Sequence, residues 1–369
     1  MLKLLLKIVL VLVVLVVAVA VAALLFLWFY PGVGKTPDKA AQAAYAEKMR
    51  VFYDGEFHNT DKNYTLMAGE SEPRSGEVRP ADPSDIPVVD QGTPERGEPG
   101  QMTISWLGHS SALVQMGAKN ILIDPVLTDY SSPVGFVGVK RFSAPGLTPQ
   151  EVPEIDVLFI SHDHYDHLDY QTIRQIDDRV ACYVVPLGVD AILKGWGIES
   201  GRIRALAWWE TTEIDGIRYS LTESQHFSGR NPLKSGLTLW GGLRIDDGIH
   251  SLYYTGDGGY CDAFRKEYQK YGEVDLILAE NGQYSKGWPM VHMTPEESVQ
   301  AAKDAHAQWY IPVHWGAFVL STHAWYDPAL RAVKAGEAQE VEIATPRIGE
   351  LVPYDDIDRY DSHWWEEAQ

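Results

Sequence analysis

The chain opens with an unbroken apolar run. After Lys3 and Lys7, residues Ile8 to Tyr30 (IVLVLVVLVVAVAVAALLFLWFY) carry no charge. This stretch is long enough to cross a bilayer with some tilt. Trp28 and Tyr30 close it with rings that favour the membrane interface. The small residues of AVAVAA would suit a cleaved leader, but apolar Leu24 to Tyr30 follow where a mature start is polar. The pattern predicts an uncleaved single-pass anchor over residues 1–30. Its short, lysine-bearing start places the rest outside the cytoplasm, although Lys35, Lys39, Lys48 and Arg50 beyond the span weigh against that side.

The pattern then changes twice. DKAAQAAYAEKMRVFY predicts a helix of about four turns. From Thr65 to Gly100, prolines at 73, 80, 83, 87, 94 and 99 break regular structure. Residues 31–100 thus read as a helix and a Pro/Gly-rich extended segment. From Met102, short apolar strands follow closely: MTISWL, ALVQM, NILID and DVLFIS. LDYQTIRQI reads as a helix, ACYVV as a strand and GVDAILKGW as a helix. IRYSLTES, LTLWGGLRI and HSLYYTGD read as strands, CDAFRKEYQKY as a helix, VDLILAE as a strand. TPEESVQAAKDAHA reads as a helix with proline at its start, and WYIPVH as a strand. The order predicts an α+β catalytic domain over residues 101–369, with sheets in the centre and helices outside.

Composition narrows the function. The chain has 369 residues, 45% of them apolar, enough for a sizeable core. Its formal charge of −20 makes it a poor partner for nucleic acid, whose phosphates bind clustered Lys and Arg. Two cysteines, Cys182 and Cys261, supply neither a disulfide framework nor a cysteine zinc motif. Two loop signatures fail on detail. Gly34-Lys35-Thr36 lacks the first glycine of a phosphate-binding loop, and Gly108-His109-Ser110-Ser111-Ala112 lacks the last glycine of a nucleophile elbow.

The strongest chemistry lies in SHDHYDH, residues 161–167, directly after a buried strand. Two histidines spaced by one residue can converge on a cation, and an Asp-His pair at the next helix can address a second. Asp163 and Tyr165 read as spacers. Three further ligand types stand at strand ends downstream: His226, Asp257 and His314. Each alone could be an ordinary polar residue; together they complete a two-metal set that could activate a shared water. Asp124 and Asp169 could orient a ligand histidine or simply cap turns.

SHDHYDH, QHFS, TGDGGY and PVHWGAF, in this order, resemble the metallo-β-lactamase superfamily. SWLGHSSALV, LIDPVL, HYDHLDY, TLWGG, HMTPEE and YDGEFHNT narrow the resemblance to the branch that holds N-acylphosphatidylethanolamine phospholipase D. The resemblance spans roughly residues 50–335. It implies a four-layer αβ/βα sandwich and two zinc ions. His162, His164 and His226 would hold one, Asp166, His167 and His314 the other, and Asp257 would bridge them. His109, Asp124 and Asp169 would support the ligands, and His292 would stand near the reacting groups. In the phospholipase, the stretch toward the substrate reads roughly PIGAYEP. Here it is ENGQY, which places Glu280, Gln283 and Tyr284 at the pocket, where a buried glutamate disfavours an anionic ligand. The implied activity is hydrolysis of a phosphodiester in a lipid headgroup. The alternatives are a lactonase, esterase or amidase on the same metal set, or a non-catalytic zinc-binding membrane protein.

Overall fold

The computed structural model describes residues 2–67, 69–70, 73–74, 76–231 and 233–368. Helix α1 (Leu2–Phe29) takes up the apolar run and buries none of its residues. Helix α2 (Lys39–Lys48) starts at Asp38, whose side chain accepts from Ala41 N at 2.8 Å. It is shorter than the sequence suggested. Met49 is already extended, and β1 (Phe52–Tyr53) pairs with β2 (Glu56–Phe57) across a turn where Asp54 and Gly55 take positive φ. Val51, Phe52 and Tyr53 are β-formers. Phe52 gains more by meeting Phe57 and Tyr45, at ring distances of 4.7 and 5.7 Å, than by extending a helix.

Two sheets form the centre. The first contains β3 (Met102–Trp106), β4 (Ala112–Met116) and β5 (Lys119–Ile123). After a small ribbon of β6 (Tyr130–Ser131) and β7 (Val139–Lys140), it adds β8 (Ile155–Phe159), β9 (Val180–Pro186) and β10 (Ile203–Leu206). The second holds β11 (Thr211–Ile214), β12 (Ile217–Thr222), β13 (Gly242–Asp246), β14 (Ser251–Tyr254), β15 (Val274–Glu280) and β16 (Ala307–Val313). Strand β17 (Leu351–Pro353) returns to pair with β3, so the first sheet runs β10-β9-β8-β5-β4-β3-β17; the second runs β11 to β16 in sequence order.

Alternation along the strands explains the layers. Val157 points into the core between the sheets and Leu158 to the outer face; Leu276 and Ile277 divide likewise. The outer face of the first sheet is covered by α3 (Tyr170–Ile176) and α4 (Val189–Gly195), through residues such as Ile173 and Leu193. That of the second is covered by α5 (Ala263–Tyr271), α6 (Pro295–Asp304) and α7 (Asp327–Gln339), through Phe264, Val299 and Ala332. Because both faces are buried, these strands read as continuous apolar runs. This is the expected αβ/βα sandwich. One strand is shorter than its pattern: Leu237 to Gly241 do not pair as sheet, and Trp240 instead turns inward to donate to Ser224 O at 3.1 Å.

Candidate metal centre

The site forms where strands from both sheets end at one edge of the sandwich. Strand β8 delivers Ser161 and the histidine loop, β12 leads to His226, β14 to Asp257, and β16 to His314. The sheets are sewn together there: His109 N donates to Trp315 O (3.0 Å) and His314 N to His109 O (2.8 Å). His109, Asp124 and His314 all hold left-handed backbone, with φ of 53°, 40° and 69°. For non-glycine residues that conformation is costly, and three such residues at one edge mark a place where geometry is held against local preference.

The structure brings these side chains together in neighbouring groups. Ligand atoms of His162, His164 and His226 lie within 4.8 Å of one another, as do those of Asp166, His167, His314 and His109. Asp257 stands between them. Its Oδ2 lies 3.1 Å from His167 Nε2 and 3.9 Å from both His162 Nε2 and His226 Nε2, and its Oδ1 lies 3.3 Å from His314 Nδ1. Among the described residues, His167 Nε2, His314 Nε2 and Asp257 Oδ1 are buried without a hydrogen-bond partner. Buried polar atoms are rarely left so, and all three belong to residues of this cluster. A donor set of imidazoles and carboxylates at this spacing suits divalent cations of the zinc type.

Electrostatics prepare the donors. Burial holds the imidazoles of His162, His226 and His314 well below the ordinary histidine range, in the neutral form that binds metal. Burial alone would push Asp257 and Asp166 up. The surrounding histidines, His167 first, override it and hold both carboxyls far below their usual range. Each therefore offers a charged oxygen.

The supporting shell is partly as expected. Asp124 accepts from His167 Nδ1 at 2.7 Å, from Ser161 N at 2.7 Å and from Tyr254 OH at 2.6 Å. His109 Nε2 meets Asp166 Oδ2 at 2.9 Å. Asp169 departs from the histidine-orienting role. It caps α3, accepting from Gln171 N and Thr172 N and from the Thr128 and Thr172 hydroxyls, so its oxygens are already committed.

The ENGQY segment also lies otherwise than as pocket wall. Glu280 is fully buried beneath the site; His292 Nδ1 and Met293 N both donate to its carboxylate at 3.0 Å. Gln283 turns its amide to the carbonyls of Phe318 and His314 and accepts from Leu320 N. Tyr284 hydrogen-bonds Asp327 and stacks on His323, away from the cluster. His292 does join it: its ring lies 5.3 Å from that of His226 and 5.2 Å from that of His314.

Several contributors carried no clear sequence signal. Ser110 Oγ lies 2.8 Å from His314 Nδ1, and the Asn59 amide bonds both backbone groups of His226, at 2.7 and 3.1 Å. Nor are Asp163 and Tyr165 spacers. Asp163 accepts from Gly229 N and Tyr165 OH donates to Arg230 O, which ties the histidine loop to the loop after His226.

The family called Beta-lactamase superfamily domain matches residues 119–315. The chain belongs to the metallo-β-lactamase superfamily and is a metal-dependent hydrolase. A protein of Mycobacterium tuberculosis is 35% identical over 343 residues, covering 88% of this chain and 91% of that one. The N-acyl-phosphatidylethanolamine-hydrolyzing phospholipase D 1 of Caenorhabditis elegans is 31% identical over 264 residues, covering 67% and 74%. Among solved structures, an isothiocyanate hydrolase from Delia radicum gut bacteria aligns with a TM-score of 0.54 at 19% identity, over 68% of this chain and 98% of that one, which shows the shared fold.

Proposed function

We propose that the chain is a membrane-anchored phosphodiesterase that uses two zinc ions to cleave lipid headgroups. The observation that carries this reading is the placement of Asp257 between two groups of imidazoles, the second of which adds the carboxylate of Asp166. Two divalent cations held there would supply Lewis acidity and an activated water. His162, His164 and His226 would hold one, and Asp166, His167 and His314 the other. Asp257 would touch both and accept a hydrogen bond from the attacking water. His292 Nδ1 is fixed by Glu280, which leaves Nε2 to give a proton to the departing oxygen. The phospholipase relative supports the choice of phosphodiester over carboxyl ester or amide. Helix α1, apolar and without a buried residue, supports a bilayer anchor that keeps the site beside lipid.

The test is to purify the full chain in detergent, measure bound metal, and incubate it with membrane lipid extract beside an Asp257→Ala control. Mass spectrometry should show a phospholipid class converted to phosphatidic acid only by the intact site. Metal-free protein that hydrolyses as fast as loaded protein would refute the reading. Release of fatty acid or an amine, with phosphodiesters untouched, would replace it with the ester or amide alternative.

A further inference from the structure

The anchor does not end in a free linker. Immediately after α1, Pro31 O accepts from Trp196 Nε1 (2.7 Å) and Gly32 O from Arg230 Nε (2.9 Å). The Tyr30 ring meets Tyr170 at 6.3 Å. Gly32 is pressed so closely on the carbonyl of Pro133 that a Cβ there would lie 2.2 Å from its oxygen. Arg230 is itself buried. It lies over the Tyr165 ring at 4.3 Å and donates from Nη1 to Asp163 O and Leu168 O, both within or next to the histidine loop. The chain leaving the helix is thus held to the domain beside the metal loop.

Two loops flank that exit, and both present apolar side chains to solvent. The loop between β6 and β7 passes Gly32 at Pro133 and then exposes Phe136 (77%) and Val137 (56%). The loop after His226 exposes Leu233 (56%), and its Lys234 reaches the ring of Trp28 at 5.9 Å. A lysine follows each apolar tip, Lys140 at the end of β7 and Lys234 next to Leu233. Large apolar tips with a lysine close by, next to the end of an apolar helix, have the composition of a surface that dips into the headgroup layer.

We propose that the tips Phe136–Val137 and Leu233 insert into the same bilayer leaflet from which α1 emerges, forming a second, monotopic membrane contact. This deepens the proposed function and rests on α1 spanning a bilayer. The occupant is lipid because the patch is continuous with the anchor: Pro133 touches Gly32, and Lys234 covers Trp28. The consequence is positional. The Leu233 loop begins at Phe227, whose ring lies 4.5 Å from that of His164, a partly exposed member of the cluster. One short loop therefore links the lipid surface to the metal centre at His164.

The test uses the full chain in lipid nanodiscs of phosphatidylcholine and phosphatidylglycerol. Cys182 and Cys261 are replaced by Ser, and nitroxide labels are placed singly at Phe136→Cys, Leu233→Cys, Val16→Cys within α1, and Ile249→Cys on an exposed turn elsewhere. Oxygen and a water-soluble nickel chelate are then compared as relaxers. Labels at 136 and 233 should favour oxygen, as lipid-exposed sites do, and the label at 249 should favour nickel. If 16 reads as lipid while 136 and 233 read as 249 does, the second contact is overturned and the anchor stands. If 16 also reads as aqueous, the anchor reading fails and takes this proposal with it. Spin–spin broadening at 136 or 233 would assign the patch to a second copy of the chain and overturn the lipid contact.

Discussion

His162, His164 and His226 form the first trio of the cluster and Asp166, His167 and His314 the second; each has two fully buried members, yet the two trios are held differently. In the first trio, His226 has one ring partner outside the cluster, Val291 O at 3.2 Å, and His162 has Ser161 Oγ at 2.9 Å. In the second trio, Asp124 takes His167 Nδ1, His109 takes Asp166, and Ser110 takes His314. Both supporting residues at strand ends, His109 and Asp124, sit on left-handed backbone. Every member of the second trio therefore has a partner outside the ligand set, whereas, among the described residues, His164 in the first has none of this kind. Partners that fix a ligand's orientation raise its affinity for metal, so the two halves should differ in metal retention and in their weight in stability.

The largest effect removes what the halves share. Asp257→Ala should lose both metal equivalents and reduce turnover to background, measured by elemental analysis and by hydrolysis of bis-p-nitrophenyl phosphate. If one equivalent remains, the halves are independent and the bridge is unnecessary.

Next comes a paired substitution that tests the asymmetry itself. His167 lies among the carboxylates of Asp124, Asp166 and Asp257, at 2.7, 3.6 and 3.1 Å. Burial opposes a charge on His167, but those three carboxylates raise its proton affinity well above the ordinary range. His167→Ala removes the one cation these clustered carboxylates share, and should destabilise the metal-free fold by about 3–5 kcal/mol. His164→Ala removes no such cation and should barely move the melting temperature of metal-free protein, while still losing one metal. Equal losses of Tm in the two variants would break the comparison. A milder version is Asp124→Asn, which keeps the shape but weakens the acceptor for His167. Affinity at the second trio should fall by about 10–100-fold, read by chelator competition, with the first trio unchanged.

The same division governs how much could be read from sequence. Ligands announce themselves, because SHDHYDH packs four of them into one loop and His226, Asp257 and His314 each end a strand. The sandwich was legible for a related reason: strands buried on both faces, such as DVLFIS and VDLILAE, are unbroken apolar runs. What escaped was set by tertiary contact. Ser110 and Tyr254 bond the centre because the two sheets meet there, and nothing in their neighbours says so. The α2 helix stops early because Phe52 finds Phe57 in space. Glu280 follows a strand like any ligand candidate, yet its carboxylate is turned beneath His292 rather than into a pocket. β10, β11, α7 and β17 carry weak or mixed patterns, and their pairing partners, not their periodicity, decide them.

The smallest effect concerns the proton on His292, whose ring lies beside those of His226 and His314. Burial disfavours the charged imidazole, but Glu280 at 3.0 Å outweighs it and raises the proton affinity of His292 above the ordinary value. Burial likewise raises Glu280 itself, to about 7. Glu280→Gln keeps a hydrogen-bond acceptor for Nδ1 but removes the charge. His292 then gives up its proton at lower pH. If protonated His292 serves the leaving oxygen, the alkaline limb of the kcat profile should move toward acid, and kcat should fall more at pH 8 than at pH 6, by about tenfold or less. Metal content and KM should hold, since Glu280 touches neither cluster trio. A limb that stays in place while kcat drops uniformly would make Glu280 only a prop for the His292 ring, and would leave the leaving group's proton to solvent.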